Sequence, residues 1–323
     1  MPGSQTELGK AYEFACLCAI ASALQDDQSV VTEENAPYHT ALNAYVGLSD
    51  DEQRRLLYAA NAAARVIVRL EPQLTHAGVN TPLYLSLQAD AQGIAGDVRD
   101  VLCIRRQNGW QIGLSCKHNH HAVKHSRLSA TIDFGAEWFG YGCSQQYFEE
   151  VVPLFEELRR MRDEARANHA RACWNELPDK AERYYLPVLR SFMDELNRLA
   201  TAHDDVPTAL VRYLIGRHDF NKVITDDSRR TTRVEAINLG GTLNRPAEDC
   251  HSIVDVPTLR LPTCFYHVGM KPNSDNTVIV VCDEGWTISM RIHSASTEIE
   301  PSLKFDVNLI SLPGSIHAQV EPW

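Results

Sequence analysis

No run of about 18 apolar residues occurs in these 323 residues, which leaves nothing to read as a membrane-spanning helix. No basic, apolar and small-residue signal opens the chain, and its nine cysteines include no Cys-x-x-Cys pair. Cys16, Cys18 and Cys103 lie in apolar runs and Cys116 in a strand-like one. They read as buried thiols, and a reducing cytoplasm is the expected compartment. An S-adenosylmethionine glycine loop and a Pro-Cys dipeptide are both missing, which argues against a methyltransferase. There is no internal repeat and no low-complexity tract. Nor is the chain basic: 42 acidic residues face 31 basic ones for a net charge of −11. That excludes a tail-like nonspecific nucleic-acid binder, though not a protein with a narrow basic cleft in an acidic exterior. What is present is 44% hydrophobic content, enough for a real core in one large or two moderate domains.

Three sections follow one another. Gly9–Leu24 carries apolar residues on an i, i+3, i+4 stripe, and Ser49-Asp50-Asp51-Glu52 is a capping box opening a helix to about Leu70. Residues 96–135 hold a hairpin and a basic run. Helices are expected again at Gln145–Ala172, where Pro153 marks a kink or the true start, then at Asp179–Ala200 and Pro207–Ile215. From Thr231 the chain turns β-rich, with strands expected at Thr232–Leu239, Thr277–Cys282, Thr287–Ile292 and Leu303–Ile310. The expected division is residues 1–225 as a core with helical elements and 226–323 as a β-rich region packed on it. Trp138, Trp174, Tyr184 and Tyr185 read as packing residues.

The hairpin carries the chemistry. Gly96–Ile104 and Ile112–His120 are joined by Gln107-Asn108-Gly109-Trp110, and Asn-Gly is the strongest short hairpin signal. Alternation puts Ser115 and Lys117 on one face and Cys116 on the other, while Asp100 shares a face with Leu102 and Ile104. Asp100 and Lys117 then meet at the end of a sheet, an arrangement that can hold a divalent cation beside an activated water. Asp97, three residues back, can approach from the preceding turn. An ordinary hairpin with surface charges fits the same letters.

Beyond the lysine the local charge reverses. Arg99, Arg105, Arg106, Lys117, Lys124 and Arg127 stand against Asp100 alone between residues 99 and 129, as a phosphodiester ligand needs. A solvated loop has such a composition too. His118, His120, His121 and His125 form a cluster with zinc-like spacing, but neither a cysteine pair nor His-Glu-x-x-His accompanies it.

Asp100 with Ser115-Cys116-Lys117 resembles the PD-(D/E)XK nuclease core. Three further stretches, Gly96–Val101, Ser115–His120 with Lys124–Ser129, and Ile132–Gly135, are similar to HaeIII-type type II restriction endonucleases. So are Leu210–Ile224, Gly285–His293 and Pro301–Val307. The resemblance implies an α/β (α+β) fold with a mixed sheet flanked by helices and a β-rich C-terminal extension. It also implies a Mg²⁺-dependent bacterial enzyme that cuts double-stranded DNA at GGCC to blunt ends, leaving 5′-phosphate and 3′-hydroxyl groups. One position departs from the pattern. Ser115 stands where the superfamily has Asp or Glu, and a neutral hydroxyl is a poor ligand for a hard cation. Leu8–Ala15 resembles the superfamily's first helix, which makes Glu13 the leading candidate for the missing charge, with Asp97 the alternative. The ligand set expected is Asp100, Glu13 or Asp97, and the Cys116 carbonyl, with Lys117 orienting the water.

A palindromic target favours a two-fold dimer. Candidate DNA contacts are Asn119, His120, Lys124 and Arg127 in the basic run. Arg217 and Lys222 are expected on a loop after Gly216, and Arg291 and His293 share a strand face. Two other classes stay open: a DNA-binding protein whose Ser115 marks lost cleavage, and a repair nuclease that reads structure rather than sequence.

Overall fold

The computed structural model describes residues 5–75, 81–89, 97–119, 126–247, 250–252 and 254–323. Two compact units emerge, both discontinuous in sequence. The first comprises Met1–His121, Gly216–Arg260 and Gly314–Trp323, and the second Ala122–Ile215 and Leu261–Pro313. The boundary expected at 225/226 follows the change from helix to strand along the chain. The spatial units cross it in both directions, because strands from either side share a sheet.

The first unit is built on a seven-stranded mixed sheet. Its strands are β1 (Val30–Thr32), β2 (Leu83–Leu87), β3 (Val101–Arg105), β4 (Trp110–His118), β6 (Phe220–Asp226), β7 (Thr231–Ile237) and β12 (Ala318–Pro322). They lie side by side in that order, with β1–β2 and β4–β6 parallel and the other neighbours antiparallel. Helices α1 (Gln5–Leu24), α2 (Ala36–Val46), α3 (Asp50–Leu70) and the single turn α4 (Pro72–Thr75) complete it.

Helix α3 starts where its capping box says. The Ser49 hydroxyl accepts from the Glu52 N–H, and the Glu52 carboxylate takes the Ser49 N–H at 3.0 Å. Such a cap is worth about 1 kcal/mol. Leu56, Ala59, Ala60, Ala63, Val66, Ile67 and Leu70 form its buried stripe at helical spacing. The Thr232 hydroxyl donates to the Ala59 carbonyl at 2.8 Å, fixing α3 on β7. Helix α1 lies on the same face of the sheet, since its Cys16 is buried in one core cluster with Cys116 of β4 and with Ala59 and Ala60 of α3. Ile112, Leu114 and Cys116 of β4 therefore face helices, and Gln111, Gly113, Ser115 and Lys117 face the other way.

Strand β6 departs from the expectation of a loop over His218–Lys222. Gly216 does end the preceding helix in the left-handed region (φ 87°), but pairing resumes at Phe220. Polar letters hide the strand because each has its own buried setting. Asn221 donates to Glu71 at 3.3 Å on the helix face, and Lys222 points to the opposite face.

In the second unit a five-stranded antiparallel sheet runs in the order β5-β11-β10-β9-β8. These are β5 (Arg127–Ser129), β8 (Phe265–Met270), β9 (Thr277–Cys282), β10 (Thr287–His293) and β11 (Ser302–Ser311). Its helices are α5 (Phe134–Phe139), α6 (Gln145–Ala167), α7 (Leu186–Ala202) and α8 (Val206–Ile215). Helix α6 begins at the Ser144 cap and runs through Pro153. Phe134, Trp138, Phe192 and Phe305 pack ring against ring at 4.8–6.4 Å, so Trp138 is a core residue; Trp174, Tyr184 and Tyr185 are buried too. The mixed sheet with helices and the β-rich C-terminal part agree with the architecture read from the sequence.

Candidate active site

The hairpin closes through Asn108 and Gly109. Gly109 takes φ 67°, and the Asn108 side-chain oxygen accepts the Trp110 N–H at 3.0 Å. Pairing extends one residue past β3, where the Asp100 N–H donates to the Leu114 carbonyl at 2.7 Å. The Asp100 carboxylate then turns onto β4. Its Oδ2 accepts the Cys116 N–H at 2.6 Å and lies 3.5 Å from Lys117 Nζ. Burial alone would lower the Lys117 ammonium. Asp100, with Cys116 and Glu13, outweighs it and raises the lysine above its ordinary value.

Glu13 completes this cluster from α1. It is 8% exposed and pairs with Lys10, one helical turn earlier, at 3.0 Å. Burial, then the charge of Asp100, pushes its carboxyl up to about 8, against the pull of Lys10 and Lys117. Two crowded carboxylates with one of them driven toward its protonated form are what a divalent cation would relieve. With the backbone of Cys116 alongside, two carboxylates and a carbonyl suit Mg²⁺, which keeps several of its waters. Among the described residues no group of three or more His, Cys, Asp or Glu side chains forms a metal cage.

Asp97 is not brought to this cluster. Both its oxygens are taken by Arg99 at 2.7 Å, with Gln88 at 3.0 Å and the Arg99 N–H at 3.2 Å. Burial would raise its carboxyl, but Arg99 and Gln88 hold it below the usual carboxylate range. The Arg99 side chain in turn lies over Gly113, where a Cβ would stand 2.3 Å from its Cδ. Asp97 thus anchors a buried arginine across the strand. Arg99 itself lines a cavity of about 310 Å³, with Arg217, His218, Asp219 and Arg245. It lies at the end of the sheet where β4 and β6 begin.

Ser115 is buried and aligned with Lys222 of β6, which is aligned in turn with Glu235 of β7. Lys222 is 6% exposed and on the Lys117 face. It was expected on a recognition loop; the strand β6 puts it beside the catalytic candidates instead. No polar–apolar alternation marks the strand, since Phe220, Lys222 and Ile224 share one face and Asn221, Val223 and Thr225 the other.

The remaining candidates are dispersed. Asn119 turns the chain after β4 (φ 53°), and its side-chain oxygen accepts the Asp227 N–H at 3.0 Å. His118 faces Asp227 at 3.1 Å. His120 and Lys124, and with them His121 and His125 of the zinc reading, lie outside the described residues. Arg217 is exposed at the cavity. In the second unit Arg127 pairs with Glu300 at 3.0 Å, and Arg291 and His293 share Asp306 at 2.7 and 3.2 Å. Lys10 and Arg245 were not singled out from the sequence. Lys10 was discoverable from its i, i+3 spacing to Glu13, and Arg245 was not, since only the fold brings it to the cavity.

The family model described as HaeIII restriction endonuclease matches residues 9–313. The chain is 39% identical over 324 residues to the type II restriction enzyme HaeIII of Haemophilus aegyptius, covering 100% of this chain and 99% of that protein. No solved structure matches.

Proposed function

Because the chain belongs to the HaeIII restriction endonuclease family, we propose that it hydrolyses double-stranded DNA at GGCC, with Mg²⁺, to blunt ends. The enzyme class, a type II site-specific deoxyribonuclease, follows from that membership. The observation that carries the finer reading is the Asp100 Oδ2 shared by the Cys116 N–H and Lys117 Nζ, with Glu13 in the same field.

Glu13, Asp100 and the Cys116 carbonyl would hold the metal. When bound, it lowers the pKa of a coordinated water and offsets charge on the phosphate. Lys117 orients the attacking water by hydrogen bonding. Its ammonium also stabilises the charge that builds as the phosphorus becomes pentavalent, and Asp100 holds that ammonium in place. The P–O3′ bond breaks, leaving 5′-phosphate and 3′-hydroxyl ends. Ser115 contributes no charge, and its lost carboxylate is replaced by Glu13 from the helix. Asp97 acts through Arg99 on the shape of the hairpin.

Arg217 contacts DNA phosphates from the cavity, with Asn119, His120, Lys124 and Arg127 along the basic run and Arg291 and His293 reading from the β-rich part. A two-fold dimer places one site on each strand of the palindrome. A bacterial cytoplasm is the compartment this reading implies, with nine free cysteines. Among the described residues no helix is long and apolar enough to cross a membrane. The test is to incubate the protein with plasmid DNA and Mg²⁺ and sequence the ends. Blunt ends between G and C of GGCC support the reading; no cleavage, or ends at unrelated sequences, overturns it.

A further inference from the structure

The loop over residues 239–245, which follows β7, is held by two buried carboxylates. Asp219 takes one side. Its Oδ1 accepts the Leu239 and Gly240 N–H groups at 2.6 and 2.7 Å, and its Oδ2 the Thr242 N–H and hydroxyl at 2.7 and 2.8 Å. Glu71, just past the end of α3, takes the other. Its Oε2 accepts the Asn244 N–H at 2.8 Å, and the Asn244 side-chain amide donates to the Leu70 carbonyl at 2.6 Å. Asn244 sits in the left-handed region (φ 59°), and Arg245 Nε closes the loop on the Gly241 carbonyl at 3.0 Å. Gly240, Thr242 and Arg245 then line the cavity of about 310 Å³, together with Arg99 and Gln111.

We infer, resting on the nuclease reading, that Glu71 is a positioning residue for DNA binding: it fixes this loop from the helix side of the sheet and so holds the Arg245 guanidinium where it meets a DNA phosphate. Three observations carry this. Glu71 is 1% exposed, yet its side-chain partners among the described residues are the Asn244 N–H and the Asn221 amide, neither of them a cation. A buried acid without a cation is costly, and the C-terminal end of a 21-residue helix, where the dipole is negative, is a poor place for one. An apolar side chain avoids that cost, so what the acid contributes is its hold on Asn244.

Second, Arg245 is exposed and makes no ion pair among the described residues; its bond to Gly241 uses Nε and leaves both terminal nitrogens for an anion. Third, the cavity is reached from the face that carries Lys117. The Arg99 side chain lies over Gly113, and Gln111, Gly113, Ser115 and Lys117 alternate onto one face of β4. From Gln111 to Lys117 is about 20 Å along the strand, a span that about six base pairs of duplex cover. Burial pushes the Glu71 carboxyl up to about 7, against the Asn244 and Asn221 bonds and with the charge of Asp219 adding to it. A neutral carboxyl and a glutamine amide both keep an oxygen for the Asn244 N–H. Either can also donate to Asn221 Oδ1, which is buried and unbonded among the described residues.

The experiment compares wild type, Glu71→Leu, Glu71→Gln, Arg245→Ala and the Glu71→Leu/Arg245→Ala double variant on an oligonucleotide duplex that the wild type cuts. Affinities are measured with Ca²⁺ at several salt concentrations, and single-turnover rates with Mg²⁺ at saturating enzyme. Glu71→Leu should bind at least about tenfold more weakly, with a salt slope reduced by about 1 and a saturated cleavage rate within about threefold of wild type. Glu71→Gln should bind within about threefold of wild type. The double variant should bind no more weakly than Arg245→Ala, because two changes that act on one contact do not add. Losses that add, an unchanged salt slope, or wild-type affinity in Glu71→Leu overturn the inference. So does a glutamine variant as weak as the leucine one at an unchanged melting temperature. If Glu71→Leu does not fold, Asn244→Gly carries the test, because it keeps the left-handed backbone and removes the bond to Leu70. Its loss of affinity should vanish in the Arg245→Ala background; a loss that persists there, or no loss at all, overturns the inference. A wild type that cuts no DNA removes the premise and the inference together, whereas a wild type that cuts beside an Arg245→Ala of full affinity removes the inference alone.

Discussion

Asp100 and Lys117, 17 residues apart, meet at one oxygen: Oδ2 of Asp100 is 3.5 Å from Lys117 Nζ and accepts the Cys116 N–H at 2.6 Å. A carboxylate held this way cannot swing away from the lysine, because the backbone of the strand that bears the lysine grips it. The hairpin register thus sets the distance between the acid and the cation.

Lys117→Ala should abolish cleavage and leave specific binding within about tenfold, roughly 1.4 kcal/mol, because the ammonium acts on charge that develops in the transition state. Single-turnover rates with Mg²⁺ and affinities with Ca²⁺ measure the two separately. Normal cleavage by this variant would remove the hairpin from the mechanism.

Glu13→Gln should cost at least about 10²-fold in rate, ~2.7 kcal/mol, while Ser115→Ala costs much less. Asp97→Asn should act on stability instead. It leaves Arg99, 6% exposed, without its carboxylate partner, and breaking a buried pair costs about 3 kcal/mol. A denaturant midpoint and a cleavage rate on the same sample separate the two effects. A stable but inactive Asp97→Asn would return Asp97 to the ligand set.

Stability without metal should carry the signature of Glu13. Its folded carboxyl is raised from 4.5 to about 8, so its contribution is fully present below pH 4.5 and is lost as the pH rises through 8. In EDTA, wild type should lose stability relative to Glu13→Gln between pH 5.5 and pH 7.5, and Mg²⁺ should restore more at the higher pH. Lys222 acts with the opposite sign: it is lowered from 10.5 to about 8, so its contribution is present above 10.5 and lost as the pH falls through 8. At both pH values Lys222 is common to the two proteins and cancels in the comparison. Parallel melting curves for wild type and Glu13→Gln would contradict the burial of a charged Glu13.

Arg217→Ala and Arg245→Ala should each weaken DNA binding across sequences and reduce the slope of log affinity against log salt by about 1. Arg291→Ala should do less, because its guanidinium is engaged by Asp306 at 2.7 Å. Anisotropy titrations at several salt concentrations decide this, and an unchanged slope for Arg217→Ala would take the cavity out of the DNA interface.

Much of the fold was legible where local chemistry is strong. The Ser49–Glu52 box, the Asn108–Gly109 turn and the strand Thr277–Cys282 stand where their residues place them. Helix α2 was not foreseen, though Asn35 caps it by accepting the Tyr38 N–H and Pro37 opens it. Strand β6 was missed for a different reason. Its Asn221 and Lys222 look like loop residues until Glu71 and Glu235, 150 residues away and one strand over, supply their surroundings. The candidate site shows the same contrast. Asp100 and Lys117 are paired by hairpin alternation, and Glu13 is named through the resemblance of Leu8–Ala15 to a superfamily helix, whereas the retention of Asp97 by Arg99 depends on the gap left by Gly113.

The most direct test of the central claim is cleavage of a GGCC-containing duplex by wild type and Asp100→Asn, each with Mg²⁺ and with EDTA. The account predicts discrete product from wild type with Mg²⁺ alone, and none from wild type in EDTA or from Asp100→Asn in either. Cleavage by Asp100→Asn at the wild-type rate, or wild-type cleavage undiminished by EDTA, would contradict it.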